Sequence, residues 1–404
     1  MRLSGLINVH SMQPKDGWLK LSGAEIAMRS GLVSFVDAGF PCFSPFAQML
    51  LTRFEDFLRR ECHKHGFWEI KVPVVHREAH LEAASISDAY KDQFFRLSDP
   101  LRGFMLSATS EEYFLKHIHM FGAISYRQLP IRVFQFQDAF RFVKRCEGVY
   151  KSRSFYGCVF TSLDNNISSY LASLNCFSQI VEVVMNAFGI PFIVLRSTSN
   201  DAIEYLSPCP EGDRSIADSI AVKQEELEKS SLGSRNGFEE KYASLAMGYE
   251  YKSVAHYGVT VETQGSGTIT PIMGTFGIGL QRCLCAVLQH NRDNKGLSFP
   301  PTVRPWNVLI TQAGAETNAS VLFTQKAYKR LIDGNVAIVW DDRHGKTLKE
   351  KMQFADFWGI PVRVVIGPKE VSSQTVELRF REKAKGIKNT ELDSLVEVIT
   401  NANS

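Results

Sequence analysis

Apolar residues recur at helical spacing early in the chain. Between Ser44 and His65, Phe46, Met49, Leu50, Phe54, Phe57 and Leu58 share one side and Glu55, Asp56, Arg59 and Arg60 the other. This spacing predicts an amphipathic helix. Gly66 supplies its stop, and FWEIKVPVV follows as a strand that Pro73 closes. Ser110–His119 is a second predicted helix, capped by Thr109 or Ser110, with Glu111 and Glu112 in its first turn. Arg132–Phe142 alternates, Val133, Phe134 and Phe136 against Arg132, Gln135 and Gln137, and predicts a strand. Lys144–Arg153 is polar, contains Gly148 and predicts a loop; Phe155–Thr161 returns as a strand and closes a long hairpin. Leu171–Phe188 has helical spacing.

The second half has a different texture. Glu211–Lys252 is rich in Glu and Lys and predicts a solvated helix or flexible insert, with Ser230–Gly237 as its loop. MGTFGIGLQR places three glycines ahead of an apolar helix, Leu280–Leu288. FPPTVRPW, with three prolines, marks a domain linker. Beyond it, strands at Asn307–Thr311, Asn335–Trp340 and Pro361–Ile366 alternate with helices near Phe323–Leu331 and Leu348–Phe357. That βαβαβ pattern predicts a small α/β domain. Two domains follow, 1–299 and 306–404.

Composition narrows the class. The 404 residues are 44% hydrophobic and 22% charged, values of an ordinary globular chain rather than a disordered or collagen-like one. No apolar run approaches the roughly 18–20 residues of a membrane span, so no membrane is expected. The first residues lack the apolar core of a secretory signal. Eight scattered cysteines, without CxxC pairs or zinc-finger spacing, predict reduced thiols in an intracellular protein and no metal centre. The expected compartment is the cytoplasm, with a short organellar presequence left open. A net charge of +3 names no partner.

Three arginines stand out by setting: Arg141 at a strand end, Arg153 on the return arm of the hairpin, and Arg282 in the first turns of a helix behind glycines. Arginine suits bidentate phosphate contacts, and Phe155 is placed to stack on a base. Taken singly, an arginine at a strand end is most often a surface residue. GTFGIG lacks the preceding strand and following acidic residue of a dinucleotide loop, and no P-loop is present. Thr109, Glu111 and His256 are candidates for a small polar ligand, although a Glu in a first helical turn is ordinarily a dipole partner.

Taken in order, these segments resemble a class II aminoacyl-tRNA synthetase, most closely prolyl-tRNA synthetase of the short kind without the large editing insertion. Leu51–Val75 resembles motif 1, LSATSEEYF (106–114) the "PTSEE" segment, SYRQLPIRVFQFQDAFRF (125–142) and KSRSF (151–155) the two arms of motif 2, AIEY (202–205) an "S-x-E-F" segment, and MGTFGIGLQR (273–282) motif 3. VWDDRHGKTLKEKMQFADFWGIPVRVVIG (339–367), then VELRFR (376–381), is similar to the family's anticodon-binding domain. The resemblance implies an α+β fold: a class II antiparallel sheet with flanking helices, followed by a C-terminal α/β anticodon-binding domain. It also implies a homodimer through the Leu51–Val75 region.

The same resemblance implies roles. Arg141 contacts the ATP α-phosphate, Arg282 holds the γ-phosphate end, Arg153 belongs to the ATP site and Phe155 stacks on adenine. Thr109 and Glu111 receive the amino acid's nitrogen, His256 lies near the amino-acid pocket, and Mg2+ bridges the phosphates. Arg343 and Arg381, with the neighbouring Lys346, Lys349, Lys351, Arg379, Lys383, Lys385 and Lys388, are the expected tRNA contacts; Trp340 or Phe380 is placed to stack on a base. Departures concentrate in motif 2. The family's Arg-Asp-Glu is Arg141-Phe142-Val143 here, and that Glu reads the adenine amino group. Its Arg-Glu-Phe is Arg153-Ser154-Phe155, a preceding Arg is Lys151, a Lys-Asp pair is Cys158-Val159, and a Gly before the pocket His is Ala255. The expected function is ATP-dependent activation of proline and its transfer to tRNA, with tRNA-Pro as the partner. The alternatives are a catalytically impaired paralogue that binds tRNA or another partner, and a paralogue that loads something other than its usual tRNA.

Overall fold

The computed structural model describes residues 1–5, 17–82, 92–120, 122–197, 202–212, 214–215, 225–230, 241–265, 267–382 and 386–403. Its centre is a sheet with nine strands among the described residues. From edge to edge it runs Glu225–Ser230, Ile193–Ser197, Ile203–Pro208, Lys241–Tyr251, Ile272–Gly279, Ser154–Asp164, Ile131–Phe140 and Trp68–Glu69; Arg214–Ser215 pairs aside with Lys241–Tyr251. The pairing is antiparallel except at one edge, where Trp68–Glu69 runs parallel to Ile131–Phe140. The expected antiparallel sheet is therefore mixed.

Two long helices cover one face. Pro45–Lys64 starts at Ser44, whose hydroxyl accepts from the Ala47 N–H, with Pro45 at the first helical position. Gly66 follows it with φ of +76°, a backbone region that glycine enters without strain. Ile167–Ala187 is capped by Asn166. Phe54 stacks on Phe188 at 4.5 Å, and Phe177 stacks on Phe276 of the sheet at 4.9 Å. Aromatic rings thus join the helices to each other and to the sheet.

Two expectations need correction. FWEIKVPVV is not one strand. Trp68–Glu69 sits on the central sheet, while Val75–Arg77 pairs with Phe104–Leu106 in a separate ribbon. Pro73, which has no N–H for a ladder, lies between them. Glu211–Lys252 is not a solvated insert throughout: Lys241–Tyr251 is an interior strand of the main sheet. Its Tyr242, Ala243, Leu245 and Ala246 are buried between the neighbouring strands, while Met247 and Tyr249 are exposed. Most of the expected Ser230–Gly237 loop lies outside the described residues.

The C-terminal sheet has the order Ile338–Asp341, Val308–Gln312, Val362–Ile366, Thr375–Phe380, Ile387–Glu391. The first three strands are parallel and the last two pairings antiparallel. Asn318–Asp333 and Leu348–Phe357 are the crossover helices, as the pattern predicts. FPPTVRPW is a packed junction. Phe299, Val303 and Trp306 are buried, and Trp306 stacks on Phe46 at 4.5 Å. Phe354, Phe357 and Trp358 of the C-terminal unit join the same core as Phe46 and Trp18. Met1–Gly5 lies against the outer strand of the C-terminal sheet: Trp340 donates its N–H to Met1, and Ser4 donates to Asp342.

Candidate active site

The face of the main sheet opposite the aromatic helices is open and forms a cavity of about 340 Å³. Side chains alternate across a strand, and among the lining residues four rows have that spacing: Gln137, Ala139 and Arg141; Phe155, Gly157 and Val159; Met247 and Tyr249; Thr275, Gly277 and Gly279, with residues between them, such as Tyr156, Cys158, Phe276 and Ile278, also bordering the cavity. Strand register sets these rows side by side. Ala139 pairs with Phe155, Gly157 with Gly279, Val159 with Gly277, and Tyr249 with Thr275. The glycines give the cavity its depth. A Cβ on Gly277 would meet nothing closer than the Cys158 carbonyl at 3.8 Å, so any side chain there would enter the cavity.

The hairpin Ile131–Phe140 and Ser154–Asp164 delivers two of the candidates. Arg141 lies one residue beyond the first strand and donates its backbone N–H to the Arg153 carbonyl. Its guanidinium donates to the Ala108 carbonyl at 3.2 Å and lies 5.2 Å from the centre of the Phe155 ring. Arg282 opens the helix Leu280–His290. It donates to the Tyr150 carbonyl from Nε and Nη2 and to the Ser244 carbonyl from Nη1, at 2.8–3.1 Å. Those bonds fix its head between the end of the motif 2 loop and the sheet. Gln281 beside it is 1% exposed. It donates to the Val149 carbonyl and the Ser152 hydroxyl and accepts from the Tyr156 N–H.

The other end of the cavity carries Thr109 and Glu111. Glu111 is buried and accepts from the Thr275 hydroxyl and the Ser110 N–H. Among the lining residues it is the one carboxylate, facing the cations Arg141, Lys151 and Arg282. The cavity is thus polarised, anionic at the helix start and cationic at the hairpin and the Leu280–His290 helix.

Thr109, Glu111, Arg141, Phe155 and Arg282 meet around this one cavity. Arg153 and His256 do not line it. Arg153 points behind the hairpin, donating to the Val143 and Ala38 carbonyls with its head 5.2 Å from the Phe142 ring. His256 is exposed on the short turn Val254–Tyr257. The lining residues Gln137 and Thr275 and the supporting Gln281 lie inside the motif 2 and motif 3 segments without being singled out there, and Gln93 and Tyr249 lie in none of the motif segments named above. The period-two spacing of Thr275, Gly277 and Gly279 was the available signal for that strand.

In the C-terminal unit several of the expected tRNA contacts are engaged within the chain. Arg343 makes two bonds, 2.8 and 2.7 Å, to the buried Asp341 and covers Phe354. Arg381 makes two bonds, 2.6 and 2.7 Å, to Asp293 of the preceding unit. Lys351 is buried and donates to the Asp341 carbonyl, and Arg379 pairs with Glu377. Trp340 is buried beneath Arg2, so it is not a free stacking surface. Lys383 and Lys385 lie outside the described residues. All eight cysteines are free thiols. No helix among the described residues is long and apolar enough to cross a membrane.

A family model for the anticodon binding domain matches residues 307–402. The proline–tRNA ligase of Rickettsia rickettsii (strain Sheila Smith) is 25% identical, the match covering 94% of this chain and 96% of that protein. Among solved structures, the Giardia lamblia prolyl-tRNA synthetase in complex with prolyl-adenylate superposes with a TM-score of 0.76 at 15% identity, covering 97% of this chain and 80% of that one. The Cryptosporidium parvum prolyl-tRNA synthetase complexed with halofuginone and AMPPNP gives 0.74 at 14% identity, covering 99% and 78%. The chain is a homologue of proline–tRNA ligases over nearly its whole length, with the class II synthetase fold and a C-terminal anticodon-binding domain.

Proposed function

We propose that this protein is a proline–tRNA ligase: it joins proline to ATP as prolyl-adenylate, releasing pyrophosphate, and passes the prolyl group to tRNA. The observation that carries this reading is the polarised cavity, with Glu111 and Thr109 at one end and Arg141, Arg282 and Phe155 at the other. A protonated secondary amine pairs with a carboxylate, and a triphosphate with arginines. The homology to ligases acting on proline, and the solved relatives with prolyl-adenylate and AMPPNP, point the same way.

The chemistry asks for placement rather than a nucleophilic side chain. The proline carboxylate attacks the α-phosphorus, the bond to the β-phosphate oxygen breaks, and pyrophosphate leaves with the electron pair. Arg141 stabilises the charge that builds at the α-phosphate, Arg282 holds the leaving phosphates, and Phe155 fixes the base in a cavity already shaped for them. The tRNA terminal hydroxyl then attacks the adenylate carbonyl and AMP leaves. Among the described residues no group of three His, Cys, Asp or Glu side chains stands ready to hold a metal. Mg2+ is read as entering with the substrate, as MgATP, where it would bridge the phosphates.

The anticodon-binding domain is the basis for tRNA, and specifically tRNA-Pro, as the partner. For assembly we read Trp68, 72% exposed, together with the exposed Val74 and Val75 of the same segment, as part of a self-association face that makes the protein a homodimer.

Amino-acid-dependent ATP–pyrophosphate exchange, scanned over the twenty amino acids with an Arg141→Ala control, tests the reading. Exchange with proline that the control abolishes is the expected result. Exchange with a different amino acid overturns the substrate. No exchange with any, alongside salt-dependent tRNA binding, overturns the enzyme and leaves the tRNA-binding paralogue.

A further inference from the structure

The helix Glu111–Met120 begins with two consecutive buried carboxyl groups, of which only Glu111 lines the cavity. Glu112 is 1% exposed and points behind it. Its carboxyl accepts the Thr109 hydroxyl at 2.7 Å and the Tyr251 hydroxyl at 3.2 Å. A hydroxyl has one proton to donate and two lone pairs to offer. With that proton committed to Glu112, Thr109 turns only lone pairs toward the cavity it lines. Glu111 has its bonds from Thr275 and Ser110 on the same carboxylate, and offers acceptor capacity alone.

We propose that Glu112 is a positioning residue that sets the polarity of the Thr109 hydroxyl, making this end of the cavity an acceptor-only surface selective for a protonated amine, and that protonation of Glu112 relaxes the selection. The inference rests on the reading that an amino acid binds here through its nitrogen. Glu112 touches no ligand; it acts through Thr109.

The groups facing Glu112 make it the titrating member. They are Glu111 on its own helix, Thr109 before it, Tyr251 at the end of the Lys241–Tyr251 strand, and Tyr257 on the following turn. Burial and then the adjacent Glu111 charge push the Glu112 carboxyl up to about 7. Burial and the same carboxylates push both phenols further up, so they keep their protons in the working range. Above the transition Glu112 is an anion and holds the Thr109 proton. Below it Glu112 carries a proton that it can donate to the Thr109 oxygen, and Thr109 is then free to turn its own proton toward the ligand. One negative charge also disappears beside the ammonium. Binding of a cationic amine therefore weakens as pH falls.

The test is calorimetric titration of the full chain with L-proline at pH 6, 7 and 8, beside Glu112→Gln. The carboxamide oxygen of that variant still accepts from Thr109 but does not titrate. The expected Kd of the unmutated protein rises about tenfold from pH 8 to pH 6, the limit for one linked proton, while that of Glu112→Gln stays flat. A second measurement needs no variant. Tetrahydrofuran-2-carboxylate, whose ring oxygen only accepts, is disfavoured against proline at pH 8, and the preference narrows at pH 6. A pH profile that persists in Glu112→Gln assigns the proton elsewhere and overturns the proposal, as does a preference that ignores pH. Pyrophosphate exchange run alongside separates the two readings. pH-dependent proline binding without exchange sinks the ligase and keeps Glu112; exchange with a flat binding profile does the reverse; absence of proline binding at every pH sinks both.

Discussion

Val143 lines the cavity near Phe155, at the position where the resemblance places a carboxylate that reads the adenine amino group. A valine side chain accepts no hydrogen bond. Leaving a buried donor without its acceptor costs about 1–3 kcal/mol, which is about 5- to 150-fold in an equilibrium constant. Val143→Glu is therefore expected to lower KM for ATP by at least fivefold while KM for proline holds. The unmutated protein is expected to use inosine triphosphate, which carries an oxo group in place of the amino group, nearly as well as ATP. Exchange kinetics with both nucleotides check this; an unchanged KM for ATP in the variant shows that the base does not lie against residue 143. At this scale the sequence was legible where chemistry is local. Arg141, Phe155, Arg282, Thr109 and Glu111 sit in recognisable segments, and the fold brings them to one cavity. Glu112 was legible only as a first-turn carboxylate, because the partner that buries it, Tyr251, lies 139 residues away. Arg153 and His256 sit in equally recognisable segments, yet one turns behind the hairpin and the other into solvent.

Among elements, the motif 2 hairpin depends on a single buried amide. Gln281 reaches from the start of the Leu280–His290 helix to Val149, Ser152 and Tyr156, a span that includes Phe155. Gln281→Leu keeps the volume and leaves the buried Val149 carbonyl and the part-buried Tyr156 N–H without this partner. The expected cost is about 2–3 kcal/mol of stability, read as a lower denaturation midpoint. A rise in KM for ATP larger than that for proline is also expected, since the loosened arm carries Phe155 and not Thr109. Equal rises in the two KM values would show that the amide supports the fold without placing the nucleotide arm. Elements were readable where pattern and burial agree. The arms Ile131–Phe140 and Ser154–Asp164 are rich in aromatic and β-branched residues on either side of a polar, Gly148-containing loop, and each is buried in a run, 133–135 and 160–164, as strands of a central sheet are. Lys241–Tyr251 defeats that logic. Its run Tyr242–Met247 is apolar but for Ser244, a short signal that the Glu and Lys residues before it disguise as part of a polar insert.

Across the whole molecule, the linker prolines suggested two bodies, and the packing ties them together. Trp306, Trp358 and Phe46 share one core, and Arg381 closes the seam by two bonds to Asp293 and one to the Asp356 carbonyl. Burial works against the Asp293 carboxylate, yet Arg381 and the N–H groups of Lys295 and Gly296 hold it below the usual carboxylate range. None of this is visible in a sequence, where residues 293 and 381 are unrelated charges and Arg381 is one basic residue in a row offered to RNA. The structure gives it a second role, and the two roles predict different behaviour. As a clamp, Arg381 fixes the anticodon-binding unit relative to the cavity, so Arg381→Met and Asp293→Asn act alike. Each is expected to lose about 1–2 kcal/mol of stability, the pair being partly exposed. Each is also expected to raise KM for tRNA in aminoacylation several-fold, while proline-dependent pyrophosphate exchange, which needs only the cavity, is unchanged. As a phosphate contact, Arg381 would behave alone. Arg381→Met would weaken tRNA and flatten its salt dependence, whereas Asp293→Asn, which frees the guanidinium, would leave tRNA binding intact or tighter. Aminoacylation kinetics of the two variants at two salt concentrations decide between a hinge pin and a hand on the RNA.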